Sequence, residues 1–246
     1  MAQARQPSRA VNTMHHFRAP DARRFISASL MIGIAFVIFG FSFGVLAVSA
    51  GASLLQACAM SLLIFTGASQ MSAVSVIATG GSAASAFGGA VLLSGRNAVY
   101  GLAMAPVLRG GSLPSRLLGA QWVIDETTAV VSAETDAAKR RTAFWISGVI
   151  LYASWNLGTF LGALLGANIN PSDFGLDAAF PVMFTAMVVP HLRTKAGRRA
   201  ALFGAIAAVA LVPLMPIGLP ILVSALGMLF GLAPQQPLTT NSETTE

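Results

Sequence analysis

Residues 25–95 read FISASLMIGIAFVIFGFSFGVLAVSAGASLLQACAMSLLIFTGASQMSAVSVIATGGSAASAFGGAVLLSG, and this stretch contains no Asp, Glu, Lys, Arg or His. It is about 70 residues long, whereas one helical crossing of a bilayer needs about 20 apolar residues. The stretch can therefore hold up to three crossings. A water-soluble protein of this size could not bury such a run, because large exposed apolar patches drive association.

The whole chain has the composition of a membrane protein. Of its 246 residues, 55% are hydrophobic and 10% are charged, and the mean hydropathy is +0.71. These values fall outside the range of soluble globular proteins. A net charge of +6 would suggest nucleic acid as the partner of a soluble chain, but here the basic residues lie between apolar segments, as in cytoplasmic loops. The pattern predicts a multi-pass membrane protein with a cytoplasmic N-terminus and no nucleic-acid partner.

Apolar segments and turns divide the chain into seven or eight predicted transmembrane helices, and the expected fold is an all-α integral membrane protein. Residues 1–24 are polar and basic, which predicts a disordered cytoplasmic tail. Residues 25–233 form the predicted transmembrane transporter domain, and residues 234–246 form a polar C-terminal tail. The plainly apolar segments are 26–50, 53–79, 83–108, 142–167, 174–190, 200–216 and 217–232. Very short turns join the first three, so these should be antiparallel neighbours.

Residues 109–141 form a charged connector whose path the sequence leaves open. If the N-terminal tail and residues 139–141 are both cytoplasmic, an even number of passages must lie between them, yet only three segments are plainly apolar. A short or broken helix over residues 117–131 would supply a fourth passage, but it would leave Arg109 and Arg116 on the outside. The alternative is that one of the three apolar segments is a re-entrant hairpin.

The flanks of the connector, residues 25–108 and 142–233, are candidate halves of an inverted repeat. Gly44 and Gly162 lie late in the leading helix of each half, and Phe-Thr pairs follow at residues 65–66 and 184–185. An inverted repeat with an odd number of crossings per half would place a substrate site at the bilayer midplane, as in many secondary transporters.

Several polar residues within the apolar segments are candidates for substrate binding. Gly67, Ser69 and Gln70 should weaken the second segment near its middle, and a break there would expose backbone groups that suit a carboxylate or an ammonium group. The alternative is an unbroken helix with Gln70 bonded to a neighbour. Asn156 lies mid-span in a later segment, where it could face a cavity or make a helix–helix hydrogen bond.

Charged residues at membrane depth are the second group of candidates. Arg96, beside Asn97, lies near the middle of the third segment, where an arginine costs about 2.5 to 3.5 kcal/mol and should point into the protein. It could pair with Asp125 or Glu126, or it could contact an anionic ligand together with Asn97. If the connector enters the membrane, Asp125 and Glu126 could couple transport to a proton gradient or hold a substrate ammonium group. If the connector is a surface loop, they are solvated charges.

Small residues recur at helical spacing in two segments. Gly40 and Gly44 in the first, and Gly158, Gly162 and Gly166 in the fourth, lie on one face of their helices and allow close approach of a neighbouring backbone. This pattern is typical of tight packing or a subunit contact, and it could also provide a sliding surface.

No pattern predicts an enzyme, a metal site or a cofactor. Cys58 is the single cysteine, so an intrachain disulfide or a cysteine zinc site is excluded. The three histidines flank apolar spans, and no phosphate-binding loop is present.

Taken together, the motifs resemble those of the AzlC family over residues 26–232. The segments that carry the resemblance are FGVLA at 43–47, FTGASQM at 65–71, GGS at 80–82, Arg96 followed by YGLA at 100–103, and the Asp125-Glu126 pair. The chain departs from the family at 94–97, where SGRN stands in place of an Asn-x-Arg-His pattern.

The resemblance implies a function and a partner. Members of this family are large subunits of bacterial branched-chain amino-acid exporters of the inner membrane, working with a much smaller AzlD-type membrane subunit. The expected cargo is leucine, isoleucine, valine or methionine. The alternatives are a transporter of another small metabolite and a non-transporting membrane scaffold subunit.

Overall fold

The computed structural model describes residues 21–166, 175, 178, 182, 185–186, 188–215, 219–224 and 226. These residues form helices and turns without any strand, so the predicted all-α class is confirmed. The helices are α1 Ala22–Ser49, α2 Leu54–Leu63, α3 Ala68–Ala78, α4 Ala83–Leu108, α5 Leu113–Gln121, α6 Asp125–Ser132, α7 Ala137–Leu165, α8 Lys195–Leu211 and α9 Leu219–Ser224. The chain divides into two compact units, residues 1–183 and 184–246. Of the predicted disordered tail at 1–24, residues 1–20 lie outside the described residues, whereas residues 22–24 form the first turn of α1 and are not disordered. The tail at 234–246, most of segment 174–190 and most of segment 217–232 also lie outside the described residues.

Within residues 21–166 of the first unit, three helices are long and apolar enough to cross a membrane. They are α1, α4 and α7, with 28, 26 and 29 residues and mean hydropathies of 2.5, 1.3 and 1.4 over their most apolar windows. At 1.5 Å per residue each exceeds the ~30 Å hydrocarbon core of a bilayer.

Helices α1 and α7 pack side by side in parallel through their glycines. Gly158 faces the carbonyl of Val37, and Gly166 faces Val45. The contact therefore moves in the same direction along both helices, which shows that they are parallel. In return, Gly40 of α1 faces the carbonyl of Trp155. A methyl group at Gly40 or Gly158 would collide with backbone atoms of the other helix. The tight packing predicted from the glycine spacing is therefore confirmed.

The second apolar segment is broken into α2 and α3, which we call the first hairpin. A capping box opens α2: the Ser53 hydroxyl accepts from the amide of Gln56 at 3.2 Å, and Gln56 Oε1 accepts from the amide of Ser53 at 2.8 Å. Residues 64–67 separate the two helices, and Gly67 has φ +49°, a conformation that favours glycine. The predicted break is confirmed.

The connector forms a second hairpin from α5 and α6, separated by residues 122–124. Thr127 holds this break, because its hydroxyl donates to the carbonyl of Trp122 at 2.7 Å and accepts from the amide of Ile124 at 3.1 Å. The connector is therefore a broken helix, as one interpretation of the sequence predicted.

Both ends of the second hairpin lie at one end of the first unit. The contacts that show this are Lys139 to Asp21 at 3.2 Å, Arg24 to Glu134 at 2.9 Å, and the Arg141 guanidinium donating to the carbonyl of Arg109 at 3.2 Å. They bring together the starts of α1 and α7, the end of α4, and the residues that flank α5 and α6. We call this the basic end, because every Lys and Arg among residues 21–166 except Arg96 lies there.

The directions of the helices follow from the basic end. Helix α4 finishes there, so the start of α4 and the adjoining end of α3 lie at the opposite end. Helix α1 begins at the basic end, so its finish and the adjoining start of α2 also lie at the opposite end. Each hairpin therefore enters from one end and returns to it, and the two hairpins enter from opposite ends.

A fourth full passage over residues 117–131 is therefore wrong, and the re-entrant alternative is correct. The even number of passages between the N-terminal tail and residues 139–141 is supplied by α1 and α4. Arg109 and Arg116 now share an end with the other basic residues, so the re-entrant path removes the conflict with their charge.

Cysteine labelling in intact vesicles can test this path. In a Cys58→Ala background, Ser112→Cys and Thr135→Cys, both at exposed positions of the basic end, should react with an impermeant thiol reagent from the same side. Ala78→Cys should react only from the other side, because the first hairpin returns there. Labelling of Ser112→Cys and Thr135→Cys from opposite sides would contradict the re-entrant path, and the Cys58→Ala parent measures background labelling.

The second unit contains a short helical turn, His191–Arg193, followed by α8 and α9. Thr194 caps α8, since its hydroxyl accepts from the amide of Gly197 at 3.0 Å. Helix α9 packs against α8, where Gly204 leaves room for the carbonyl of Ser224.

Candidate functional site

The tips of the two hairpins meet inside the first unit. Gln121, the last residue of α5, donates from Nε2 to the carbonyl oxygens of Leu62 at 3.3 Å and Leu63 at 2.9 Å. The four arms contain only 8 to 11 residues each, about half of what a crossing requires. Two half-crossings from opposite ends therefore join at the middle of the unit.

Side chains satisfy the backbone groups that the first break exposes. The last four carbonyls of a helix have no partner within it. Met60 O accepts from Gln70 Nε2 at 3.1 Å, and Leu62 O accepts from the Tyr152 hydroxyl at 2.8 Å. Gln70 Oε1 also accepts from the amide of Gly67 at 3.2 Å. Gln70 is 1% exposed, and its amide supports the hairpin tip from within.

Two other predicted site residues connect helices. The hydroxyls of Ser69 on α3 and Ser94 on α4 share a hydrogen bond of 2.8 Å. Asn156 accepts from the Ser61 hydroxyl at 2.8 Å and donates to the carbonyl of Tyr152 at 2.8 Å. For Asn156 the structure therefore shows the helix–helix hydrogen bond that the sequence left open.

Arg96 and Asp125 form an ion pair between α4 and the start of α6. The Nη1–Oδ2 distance is 3.5 Å, and each side chain is 28% exposed. Among residues 25–108, 142–192 and 200–233, Arg96 is the single Lys or Arg. Glu126 follows Asp125 directly, so two carboxyl groups and one guanidinium occupy this part of the site. If both acids are ionised, one negative charge is left without a compensating basic side chain in the described part of the chain.

A cavity of about 560 Å³ lies between the tip of the first hairpin, the second half of α4, and α5. Of the residues predicted to bind substrate, Asn97 lines it. Polar lining residues that sequence reasoning missed are Thr66, Arg109, Arg116 and Gln121, whereas Leu63, Phe65, Leu108, Leu113 and Leu117 provide apolar wall. Gln121 could have been recognised from the sequence, because its side chain is a polar amide directly before the break at 122–124.

Some buried polar atoms near the hairpin tips have no hydrogen-bond partner among the described residues. They are Thr66 Oγ1 in the first tip, Trp122 Nε1 in the second, and Trp155 Nε1 beside Gly67. Native proteins pair nearly all such atoms with protein, water or ligand. The region therefore has free hydrogen-bonding capacity in addition to the ion pair. Within the described residues, no cluster of three or more His, Cys, Asp or Glu could hold a metal ion.

These features define a polytopic helical membrane protein with two re-entrant half-helix hairpins, an architecture in which non-helical backbone at membrane depth is enclosed by protein. The chain belongs to the AzlC family: the family described as AzlC protein matches residues 31–169. The matched region covers most of α1, both hairpins, α4 and α7, which is the part of the fold described above. The family that the sequence motifs resemble is therefore confirmed.

Relatives of the chain are membrane proteins from distant organisms. The chain is 29% identical to the inner membrane protein YgaZ of Escherichia coli K12, over 78% of this chain and 84% of that protein. It is 31% identical to an uncharacterized membrane protein of Archaeoglobus fulgidus, over 75% and 82%, and 22% identical to one of Helicobacter pylori strain 26695, over 74% and 80%. No solved structure matches the chain.

Proposed function

We propose that this protein is a secondary transporter that exports small apolar amino acids, namely leucine, isoleucine, valine and methionine. It acts as the large subunit of a two-component permease with a small AzlD-type membrane partner. The observation that carries the proposal is the meeting of two opposed hairpins at mid-depth, where broken helices present polar backbone inside an apolar protein. Secondary transporters use such discontinuous helices to bind substrates near the bilayer midplane.

The polar groups at the hairpin tips suit a zwitterion. The carbonyl end of α2 carries partial negative charge and favours an ammonium group, whereas the amide end of α3 at Gly67 favours a carboxylate. Asn97 lies in the cavity wall, one residue from the Arg96 ion pair, and can add a hydrogen bond to either group. An uncharged metabolite would gain less from the partial charges at these two helix ends, which favours an amino acid over other cargo.

Asp125 and Glu126 are the proposed coupling groups. Asp125 is held by Arg96, so the remaining negative charge of the pair must be neutralised by a proton or by a bound cation, because an uncompensated charge at this depth is costly. Proton coupling uses this charge: Glu126 would take up a proton in one state of the transporter and release it in the other.

Membrane orientation follows from the basic end. Seven basic residues of the first unit lie there, namely Arg23, Arg24, Arg109, Arg116, Lys139, Arg140 and Arg141. Basic loops remain in the cytoplasm, so we place the basic end and the N-terminus on the cytoplasmic side of a bacterial inner membrane. The cavity lined by Arg109 and Arg116 then extends toward the side where an exporter collects its cargo.

Efflux from cells loaded with a leucine-containing dipeptide tests the function. Expression of this chain with the small partner should accelerate leucine efflux over cells carrying an empty vector, and an imposed proton gradient should change the rate. Efflux of a different compound would favour another metabolite as cargo. An absence of flux with and without the partner would favour the scaffold subunit and contradict the proposal.

A further inference from the structure

The carbonyl end of α2 holds two neutral donors, the Tyr152 hydroxyl on Leu62 O at 2.8 Å and the Gln121 amide on Leu62 O and Leu63 O, at a position suited to a cationic donor. Leu62 O and Leu63 O lie in the last turn of a half-helix, where aligned peptide dipoles place about half a negative elementary charge. Both oxygens accept from the same nitrogen, Gln121 Nε2, at 3.3 and 2.9 Å. Leu63 and Gln121 also line the cavity of about 560 Å³, so a ligand in the cavity can reach this contact.

We propose that the carbonyl oxygens of Leu62 and Leu63 bind the ammonium group of the transported amino acid, and that Gln121 occupies their place until the substrate displaces it. This inference rests on the proposed transport function and adds a substrate subsite to it. A primary ammonium group has three donors and a full charge, and charge-assisted hydrogen bonds are about twice as strong as neutral ones. A substrate therefore competes effectively with the side-chain amide. Gln121 is a positioning residue in this scheme.

The surroundings of the two carbonyls fit the rest of such a ligand. Phe65 and Leu117 provide apolar wall for a branched side chain. Thr66 Oγ1 is buried and has no partner among the described residues, so it is available to a ligand group. Arg109 and Arg116 line the same cavity, and no carboxylate of the described chain pairs with either of them. Two uncompensated guanidinium groups would attract the substrate carboxylate into the cavity.

Displacement of Gln121 would also link binding to movement. In the described structure, its two hydrogen bonds are the side-chain hydrogen bonds that join the first hairpin to the second. A ligand that takes over the carbonyls removes this connection, and it therefore favours states in which the hairpin tips separate.

Protection of an introduced cysteine by defined probes tests the subsite. In a Cys58→Ala background, Ala120→Cys places a thiol at an exposed position of the cavity wall, and its rate of modification is measured with leucine, isoamylamine or 4-methylpentanoate present. Isoamylamine has the ammonium group without the carboxylate, and 4-methylpentanoate has the carboxylate without the ammonium group. We expect leucine and isoamylamine to slow the reaction most, and 4-methylpentanoate to slow it less, because a carboxylate can be attracted by Arg109 and Arg116 but cannot replace Gln121 on the carbonyls. Protection by 4-methylpentanoate but not by isoamylamine would overturn the proposal.

The Gln121→Leu variant tests the displacement directly. Removal of the competing amide should lower the half-protecting concentration of isoamylamine about fivefold, the effect of one net hydrogen bond. Gln56→Leu, the same substitution in the exposed capping box of α2, should leave it unchanged. A higher half-protecting concentration of isoamylamine in Gln121→Leu would indicate that Gln121 binds the ammonium group, and it would contradict the displacement. If Gln121→Leu does not accumulate, Gln121→Met provides the same comparison.

Failure of this inference can be separated from failure of the transport function. The labelling assay measures binding and needs no flux. Leucine efflux without protection by isoamylamine would refute the subsite and leave transport intact, whereas protection by leucine without efflux would refute transport and leave the site.

Discussion

Gly162→Ala is expected to lower the free energy of unfolding by about 2 kcal/mol or more, because the added methyl group would overlap the backbone of α1. The Cβ of an alanine at this position collides with the carbonyl group of Phe41. Neither partner is a flexible side chain, so α1 and α7 would have to separate along their length. In the described structure α1 and α7 form the most extensive helix pair, and a shift there would disturb the packing around Trp155, which contacts both Gly40 and Gly67.

Thermal unfolding in detergent can measure this effect through the single cysteine. Cys58 lies half-buried in α2, so a thiol-reactive dye should report its exposure as the helices come apart. For a protein of this size, ~2 kcal/mol corresponds to a fall in Tm of about 4–8 °C.

Gly95→Ala is the matched control for Gly162→Ala. It makes the same change inside a long helix, but beyond the neighbouring backbone of α4 itself nothing lies within 4 Å of the new Cβ. Since alanine favours a helix over glycine by about 1 kcal/mol, Gly95→Ala should leave Tm unchanged or raise it. Equal Tm values for Gly162→Ala and the unmodified protein would show that α1 and α7 can separate without cost.

The long crossings and the first break could be predicted from sequence because they depend on local patterns. Residues 25–95 lack charged side chains, which indicates that this stretch lies in a lipid bilayer. The spacing of the glycines predicted the close helix contact in which Gly40 and Gly158 take part. Gly67 stands within a polar group at the middle of an apolar segment, and this combination correctly located the interruption between α2 and α3.

The direction of each hairpin could not be predicted, because it depends on contacts between distant segments. A broken helix over residues 54–78 has the same composition whether it crosses the membrane or returns to its starting side. The contact of Arg141 with the carbonyl of Arg109, and that of Arg24 with Glu134, decide between these paths. Neither contact has a local sequence signature.

The candidate site was predicted in part for the same reason. Arg96 and Asp125 were recognised as possible partners because charge is rare at membrane depth, and they are paired in the structure. Gln70 was predicted to face substrate, and whether it does so stays a prediction, although its amide contacts Met60 and Gly67. Gln121 was overlooked because its importance comes from the hairpin opposite it.

Arg96→Gln is expected to reduce leucine efflux at least tenfold. Loss of the guanidinium leaves Asp125 without this ion-pair partner and places two adjacent acids, Asp125 and Glu126, in the same low-dielectric region. Removing one member of a buried ion pair costs about 3–5 kcal/mol, and the 28% exposure of both side chains reduces that cost through solvent screening. The amount of protein in the membrane, measured beside efflux, separates lost folding from lost transport.

Lys139→Gln is the control for removing a basic partner from an ion pair outside the site. Lys139 also pairs with an acid, Asp21 at 3.2 Å, but the two side chains are 44% and 38% exposed at the basic end. Exposed pairs contribute about 0–1 kcal/mol, so this variant should accumulate normally and retain most of its efflux.

The double variant Arg96→Gln, Asp125→Asn distinguishes a structural ion pair from a working one. Removing both charges of the pair returns the net charge between α4 and α6 to its value in the unmodified protein, so the double variant should accumulate better than either single variant, with a coupling energy that a double-mutant cycle can measure. If the pair only supports the fold, efflux should recover together with the protein level. We expect the protein level to recover and efflux to remain low, because Glu126 would then lack the neighbouring charges that set its affinity for a proton. Recovery of both would assign Arg96 and Asp125 to folding and leave the coupling role without its proposed residues.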